Sequence, residues 1–363
     1  MPTEMEMIEF LQSGEVLFPM LSFRFIRVHS SRVDNRLFDA IVEISWRGNT
    51  ARFIVELKSA STPKVFQNAV NSFKSSSIPK GNSPLLIVPF LSEHQLMELE
   101  RQSISGLDLC GNCLLIAPGK FSVFRSGNRN RFPSTALIKN IYRKNSSMVG
   151  RVFLSGRTYS SVTEICSDIN QRNTLVRFGL KKPMSLSTVS KSLKTLEDDL
   201  IIERNGSLTL LQSDKLLEKL RENYVSPKIR TVVRLKVSLD RESIIELLLK
   251  QSQMLNLPII ATGISSTTQY AVMQRGDILS VYCTNLKSIL KNLPVSQSDR
   301  FPNLELIETK DERVYFDSSP GELFQWASPI QVYLELMDGD KRDQETAKLV
   351  KSLILVNSRG EQE

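Results

Sequence analysis

Asp39, Glu56 and Lys58 are the residues whose types and spacing suit them to do chemistry. Asp39 opens the run Asp39-Ala-Ile-Val-Glu-Ile-Ser-Trp46, and seventeen residues after it comes Glu56-Leu57-Lys58, the end of Arg52-Phe-Ile-Val-Glu-Leu-Lys58. Two carboxylates and an amine gathered at one point would make a hard-cation site. The oxygens of Asp39 and Glu56 would hold Mg2+ or Mn2+, and the Lys58 ammonium would position an attacking water or stabilise developing charge. Rival chemistries are poorly supplied. The chain has two histidines, His29 and His94, too few for a multi-histidine metal centre and little material for a histidine base. Cys110 and Cys113 form a close pair, but Cys166 and Cys283 lie in other segments, and a structural zinc site needs four ligands.

The elements that must position the trio follow from local pattern. Residues 39–46 and 52–58 read as two strands joined by the turn Arg47-Gly48-Asn49, a hairpin. Alternate residues of a strand face the same way, so Glu56 and Lys58 project together, and Asp39 stands with them at the end of the hairpin away from the turn. Ser61-Thr62-Pro63 starts a helix with Val65, Phe66, Ala69, Val70 and Phe73 on its apolar side, and Gln67 lies in its first part. A buried strand Leu85-Leu-Ile-Val88 and a helix from Ser92 towards Ser103 continue an αβαβ order. Gly106-Leu-Asp108-Leu-Cys-Gly111-Asn112 reads as a tight turn before the apolar Leu114-Leu-Ile116. Asp108 there is either a supporting carboxylate or an Asx-turn residue. A second Glu-x-Lys, Glu308-Thr-Lys310, also follows an apolar run but lacks the acidic strand before it and the proline-started helix after it.

The chain has 363 residues, 41% apolar and 24% charged, a soluble composition with material for two or three domains. No apolar run approaches the roughly 18 residues of a spanning helix, and Met1 to Phe10 carries three glutamates where a signal peptide would be basic. Four cysteines are too few for a disulfide framework. These features predict a cytoplasmic protein with no membrane partner. The net charge of +8 is unevenly spread. Residues 1–119 carry net −1, residues 120–230 carry 21 basic against 9 acidic side chains, net +12, and residues 231–363 carry net −3. The middle segment alone has the electrostatic footprint of a nucleic-acid-binding module.

Within that segment, Ile141 to Leu154 has helical apolar spacing, and Ser161-Val-Thr-Glu164 is a capping-box start for a short helix through Ile169. After a basic connection with Arg172, Arg177, Lys181, Lys182 and Pro183, a third helix opens near Ser185. Val189, Leu193, Leu196 and Leu200 would form its buried stripe. Ser185, Ser187, Thr188, Ser190, Lys191 and Lys194 would face out, small hydroxyls and lysines suited to a phosphate backbone and the major groove. Ile201 to Leu210 is two β segments around Asn205-Gly206, read as a two-residue hairpin turn, with Arg204 on the wing. Three helices and a hairpin in that order predict a winged helix-turn-helix that binds double-stranded DNA.

Asp39 followed by Glu56-Leu57-Lys58 resembles the PD-(D/E)xK superfamily, the restriction-endonuclease-like fold. That resemblance implies Asp39, Glu56 and Lys58 as catalytic, Asp39 and Glu56 as ligands of Mg2+ or Mn2+, and Gln67 as a glutamine near the site. The family's leading proline-aspartate pair is broken, because Phe38 precedes Asp39. On "VELKS", "GLDLCGN" and "STVSKSLKTLEDD", the whole layout is similar to AbiEi-type antitoxins and their transcriptional-regulator relatives. Residues 1–135 would be the nuclease-like α/β domain, 136–230 the winged helix, and 231–363 an α/β domain resembling a nucleotidyltransferase. The C-terminal segment has a strand Leu257 to Ala261, the turn Gly263-Ile-Ser265-Ser266 and a strand from Asp277 to Tyr282. It lacks the paired carboxylates of nucleotidyl transfer, since Asp277 stands alone, and reads as an inert regulatory domain. Two functions follow: a DNA endonuclease targeted by the winged helix, or a non-catalytic regulator or antitoxin. The regulator reading brings in a second copy of the chain and a cognate toxin-like protein as partners.

Overall fold

The computed structural model describes the chain apart from residues 1, 14–16, 34–35, 76–77, 133–139, 157, 273–277, 292, 294–295, 298–300, 321–324 and 360–363. The protein is mixed α/β, and its contacts divide it into two compact units, Met1–Lys139 and Asn140–Glu363.

The first unit opens with α1 (Glu4–Gln12), capped reciprocally: Glu6 N donates to Thr3 Oγ1 and Thr3 N donates to the Glu6 carboxylate. The strands β1 (Leu21–Val33), β2 (Arg36–Trp46) and β3 (Asn49–Leu57) form an antiparallel meander. The β2–β3 loop is two residues, Arg47 at φ 46° and Gly48 at φ 82°. Both are left-handed, the backbone twist that matches the flanking strands of a tight hairpin. The helix α2 (Pro63–Lys74) crosses to β4 (Asn82–Val88), parallel to β3, and α3 (Glu93–Arg101) crosses to β5 (Ser105–Asp108), parallel to β4. The chain then returns antiparallel through β6 (Cys113–Ala117) and β7 (Phe121–Arg125), so seven strands lie in sequence order in one sheet.

Strand alternation gives this sheet two cores. Val42, Ile44, Phe53, Val55 and Leu57 pack towards Met7, Ile8 and Leu11 of α1, whereas Ile54, Leu86 and Val88 pack towards Phe66, Ala69 and Val70 of α2 and Leu96 of α3. Buried on both faces, β4 is therefore unbrokenly apolar from Leu85 to Val88. A Cβ at Gly106 would collide with Leu99, so glycine lets α3 lie directly on β5.

In the second unit, a 3-10 turn at Lys144–Ser146, the helix α4 (Ser147–Arg151) and another 3-10 turn at Val152–Ser155 stand where one continuous helix was expected over 141–154. The helix α5 (Val162–Arg172) runs three residues past Ile169. Its N-cap Ser161 accepts from Glu164 N, but the Glu164 carboxylate accepts from Ser160 N and Oγ, so the expected capping box is displaced by one residue. The helices α6 (Thr174–Arg177) and α7 (Leu186–Asp198) follow, the latter capped by Ser185. Val189, Leu193 and Leu196 are buried, but Leu200 lies beyond the helix at φ 57° and does not extend the stripe along it. The hairpin of β8 (Ile202–Arg204) and β9 (Leu208–Leu210) closes through three residues, Asn205-Gly206-Ser207, with Asn205 N donating to Ser207 O and Gly206 at φ 75°. Asn-Gly supplies the left-handed position, yet the pairing of Arg204 with Leu208 adds one residue to the two expected. Tyr159 bridges to the other side of β9 through paired bonds with Leu208.

The remainder comprises α8 (Ser213–Glu222), β10 (Ile229–Lys236), α9 (Arg241–Leu255), β11 (Ile259–Ala261), α10 (Gly263–Ser266), β12 (Leu279–Cys283), α11 (Leu286–Leu290), β13 (Ser296–Gln297), β14 (Leu304–Thr309), β15 (Ser319–Pro320), β16 (Gln325–Trp326), α12 (Pro329–Met337) and α13 (Lys341–Ser358). Five of these strands make a sheet in the order β11-β12-β14-β10-β13, in which only β12 and β14 are parallel. Asp277, named from the sequence as a lone acid, lies outside the described residues. No described helix is long and apolar enough to cross a membrane.

Candidate functional site

The hairpin register sets the site. Ala40 pairs with Val55, which brings Asp39 at the start of the paired region beside the end of β3. Asp39 Oδ2 accepts from Leu57 N at 2.7 Å, and Lys58 N donates to Ile87 O at 3.0 Å, so the Glu56-Leu57-Lys58 backbone is tied to strands on either side. Lys58 Nζ then lies 3.1 Å from Glu56 Oε1 and 3.6 Å from Asp39 Oδ2. The side chains of Asp39, Glu56 and Lys58 are 35%, 14% and 31% exposed, so the cluster is rooted in the sheet and open to water.

The donor set suits one class of metal. Asp39 and Glu56 each engage one carboxylate oxygen with protein donors, and Asp39 Oδ1 and Glu56 Oε2 have no protein partner among the described residues. Mg2+ usually takes one or two carboxylates and completes its octahedron with water and substrate phosphate oxygens, which this pair fits. No group of three or more His, Cys, Asp and Glu side chains poised for a metal occurs among the described residues, so an all-protein cage is absent from them.

Gln67 sits on α2, and its amide donates along the helix to Asn71 Oδ1 at 3.4 Å; its described bonding does not join the trio. Asp108 resolves as a turn organiser. Oδ1 accepts from Cys110 N and Asn112 N, both at 2.8 Å, and Oδ2 accepts from Leu91 N at 2.8 Å and Asn112 Nδ2 at 2.7 Å. Burial pushes the Asp108 carboxyl above the usual range against the pull of those four donors. It stands at the end of β5, with β4 between it and Glu56, roughly 10 Å at the usual strand spacing. With both oxygens committed and a strand intervening, it does not share a cation with the trio. Cys110 and Cys113 are buried and free, and burial raises both thiols, Cys113 to about 12, so neither is a ready thiolate.

The second unit carries the basic face. Ser187, Ser190, Lys191 and Lys194 are exposed on α7 opposite the buried Val189, Leu193 and Leu196. Ser185 and Thr188 spend part of their hydrogen-bonding capacity on the helix cap, with Thr188 N donating to Ser185 Oγ at 3.3 Å and the two hydroxyls 3.0 Å apart. Arg204 lies 3.4 Å from Glu197 Oε2, so the wing arginine is paired to the end of α7. An exposed pair of this kind is weak and yields to a phosphate at little cost.

The Gly263 turn, where a helix N-terminus could take an anion, is filled from within. Glu335 of α12 is buried, and its Oε2 accepts from Ile264 N at 3.4 Å while Oε1 accepts from Tyr282 OH at 3.1 Å and Gln331 Nε2 at 2.9 Å. A Cβ at Gly263 would meet the Glu335 carboxyl at 2.8 Å. The serines are equally committed: Ser265 Oγ accepts from Ser280 N and Ser266 Oγ accepts from Ala327 N. An internal carboxylate thus stands where an anion would bind. The signal for it in the sequence was Glu335 itself, the only acid in the apolar run Pro329–Met337.

The chain matches no family model, and comparison with curated proteins and with solved structures returns no match.

Proposed function

We propose that the chain is a DNA-binding protein with a metal-dependent phosphodiesterase site of PD-(D/E)xK type in its first unit and a winged helix-turn-helix in its second. The observation that carries the reading is the convergence of two carboxylates on one ammonium at the end of β3, half-open to solvent. Supporting it are the three-stranded meander, the proline-started helix and the parallel strand that follow one another around the trio. For the second module the support is the helices α4 to α7 followed by a hairpin, a net charge of +7 over 140–230 from 16 basic and 9 acidic side chains, and exposed lysines on α7. The C-terminal sheet is read as a nucleotidyltransferase-like scaffold whose anion position Glu335 has taken over.

In this reading Asp39 and Glu56 hold Mg2+ or Mn2+, which when bound neutralises phosphate charge and lowers the pKa of water. Lys58, anchored between the two carboxylates, donates to a non-bridging phosphate oxygen and orients the water for in-line attack. A P–O bond to water forms, the P–O bond to the leaving strand breaks, a water proton passes to solvent, and the leaving oxygen takes up a proton from solvent. Gln67, turning from Asn71, orients the strand. Ser187, Ser190, Lys191 and Lys194 face the duplex, with Ser185, Thr188 and Arg204 at its margins. The test is nicking of supercoiled plasmid in Mg2+ or Mn2+ by wild type, Asp39→Ala and Lys58→Ala. Nicking lost in both variants supports the enzyme. Equal nicking by all three, or by none, removes it.

A second reading is a regulator or antitoxin that keeps the scaffold without cleavage, pairs with a second copy of itself and binds a cognate toxin-like protein. It is favoured by the Gln67–Asn71 bond, which turns the glutamine amide along its own helix. It requires promoter DNA binding that is unchanged by Asp39→Ala and weakened by Lys191→Ala. Either reading demands a steep salt dependence: six or more phosphate contacts lower affinity on the order of a thousandfold between about 50 and 200 mM salt.

A further inference from the structure

A cavity of about 120 Å3 opens in the second unit at the carboxyl ends of β12 and β14. These are the parallel neighbours of that sheet, with Cys283 opposite Glu308, and the crevice beyond the carboxyl ends of parallel strands is where open α/β sheets admit ligands. Thr284 follows β12 and Lys310 follows β14, and both line the cavity. Its other walls are apolar, Leu175, Leu180 and Leu257, and Lys181 stands at the rim. The connection from α6 is held in place by Leu180 N and Lys181 N, which both donate to Leu175 O.

Three features point to a ligand. Thr284 lines the cavity and is 4% exposed, and its Oγ1, itself almost without accessible surface, has no hydrogen-bond partner among the described residues. A buried hydroxyl left unpaired is unfavourable, and rotation about Cα–Cβ that turns it to a ligand oxygen in the cavity would satisfy it. Lys310 is exposed and forms no ion pair among the described residues, and Lys181 has only a 3.8 Å contact with Glu312. Two ammonium groups at the mouth of an apolar recess select an anion with an apolar body. Asn285 also lines the cavity, and its Oδ1 caps α11 by accepting from Ser288 N at 3.1 Å.

We propose that this cavity binds a small carboxylic acid: the hydrocarbon part lies among the three leucines, Thr284 bonds one carboxylate oxygen, and Lys181 and Lys310 close over the charge. The size sets the class, because a dry cavity of about 150 Å3 accommodates benzene. A body of four to six carbons therefore fits, and a nucleotide does not. The inference is independent of any DNA reading.

The experiment is titration calorimetry of the full chain with isovalerate, benzoate, the neutral isovaleramide and inorganic phosphate, repeated on Lys310→Met and Thr284→Val. The expected result is saturable binding of a carboxylate at least about tenfold tighter than of the amide, weakened about tenfold in each variant, a difference of roughly 1.4 kcal/mol per tenfold step. Unchanged thermal melting of Lys310→Met, an exposed position, separates loss of binding from loss of fold. No saturable binding of either acid, equal binding by the amide, tighter binding of phosphate than of both acids, or undiminished binding in Lys310→Met would each overturn the proposal.

Discussion

Replacing Asp108 by asparagine takes one acceptor out of the centre of the Gly106–Asn112 turn while keeping its shape. Four donors converge on that carboxylate, two on each oxygen, at 2.7–2.8 Å. Whichever way the new amide turns, two donors lose their acceptor and face an NH2 group. Each buried donor left unpaired costs about 1–3 kcal/mol, and removing a buried charge offsets part of that, so the net loss is about 2–4 kcal/mol. Asp108→Ala orphans all four donors and should lose more. With a urea dependence of about 1–3 kcal/mol per molar, the Asp108→Asn midpoint falls by about 1–2 M. The chain has two tryptophans, Trp46 in the first unit and Trp326 in the second, so fluorescence in a Trp326→Phe background reports the first unit alone. Midpoints of both variants within about 0.3 M of the parent, less than about 1 kcal/mol, would refute the assignment of Asp108 as the organiser of the turn.

Other consequences are as direct. Burial raises the Glu335 carboxyl above its usual 4.5, so the folded chain holds that proton more tightly than the unfolded chain does. The stabilisation is complete below the ordinary glutamate pKa and fades as pH rises through the raised folded value. The stability of wild type relative to Glu335→Gln should therefore decline from acidic to neutral pH in urea titrations followed at Trp326; a constant difference would contradict it. Leu193→Ala, in the buried stripe of α7, should cost about 2–5 kcal/mol, and Lys191→Ala on the opposite face should lie within about 0.5 kcal/mol of wild type in thermal unfolding. If α7 meets phosphates, Lys191→Ala and Lys194→Ala each reduce the slope of log affinity against log salt by about 0.9, and an unchanged slope would remove that residue from the contact.

Much of the local geometry was legible in sequence pattern. The two-residue alternation of β3 placed Glu56 and Lys58 on one side, and Thr62-Pro63 marked the start of α2 because proline lacks the donor that a first helical turn leaves unpaired. The four- and three-residue spacing of Val189, Leu193 and Leu196 gave α7 its buried face. Where local signals compete, pattern failed. Leu200 extends the apolar spacing but takes a left-handed conformation just beyond α7, and Glu164 has two serines within reach and uses the earlier one.

By itself, then, the order of amino acids determined the β2–β3 hairpin, the starts of α2, α5 and α7, which of their faces are apolar and where the excess positive charge lies, because those depend on neighbours a few residues apart. Only the tertiary structure decided that Asp39 reaches the Leu57 N–H, that Asp108 is consumed by its own turn, and that Glu335 fills the Gly263 turn from a helix more than sixty residues away. Those outcomes depend on hydrogen-bond partners brought together by strand register and helix packing. A carboxylate of given sequence context stays open to water beside a lysine, organises a turn or fills a helix N-terminus from within according to how many donors the fold has already turned towards it.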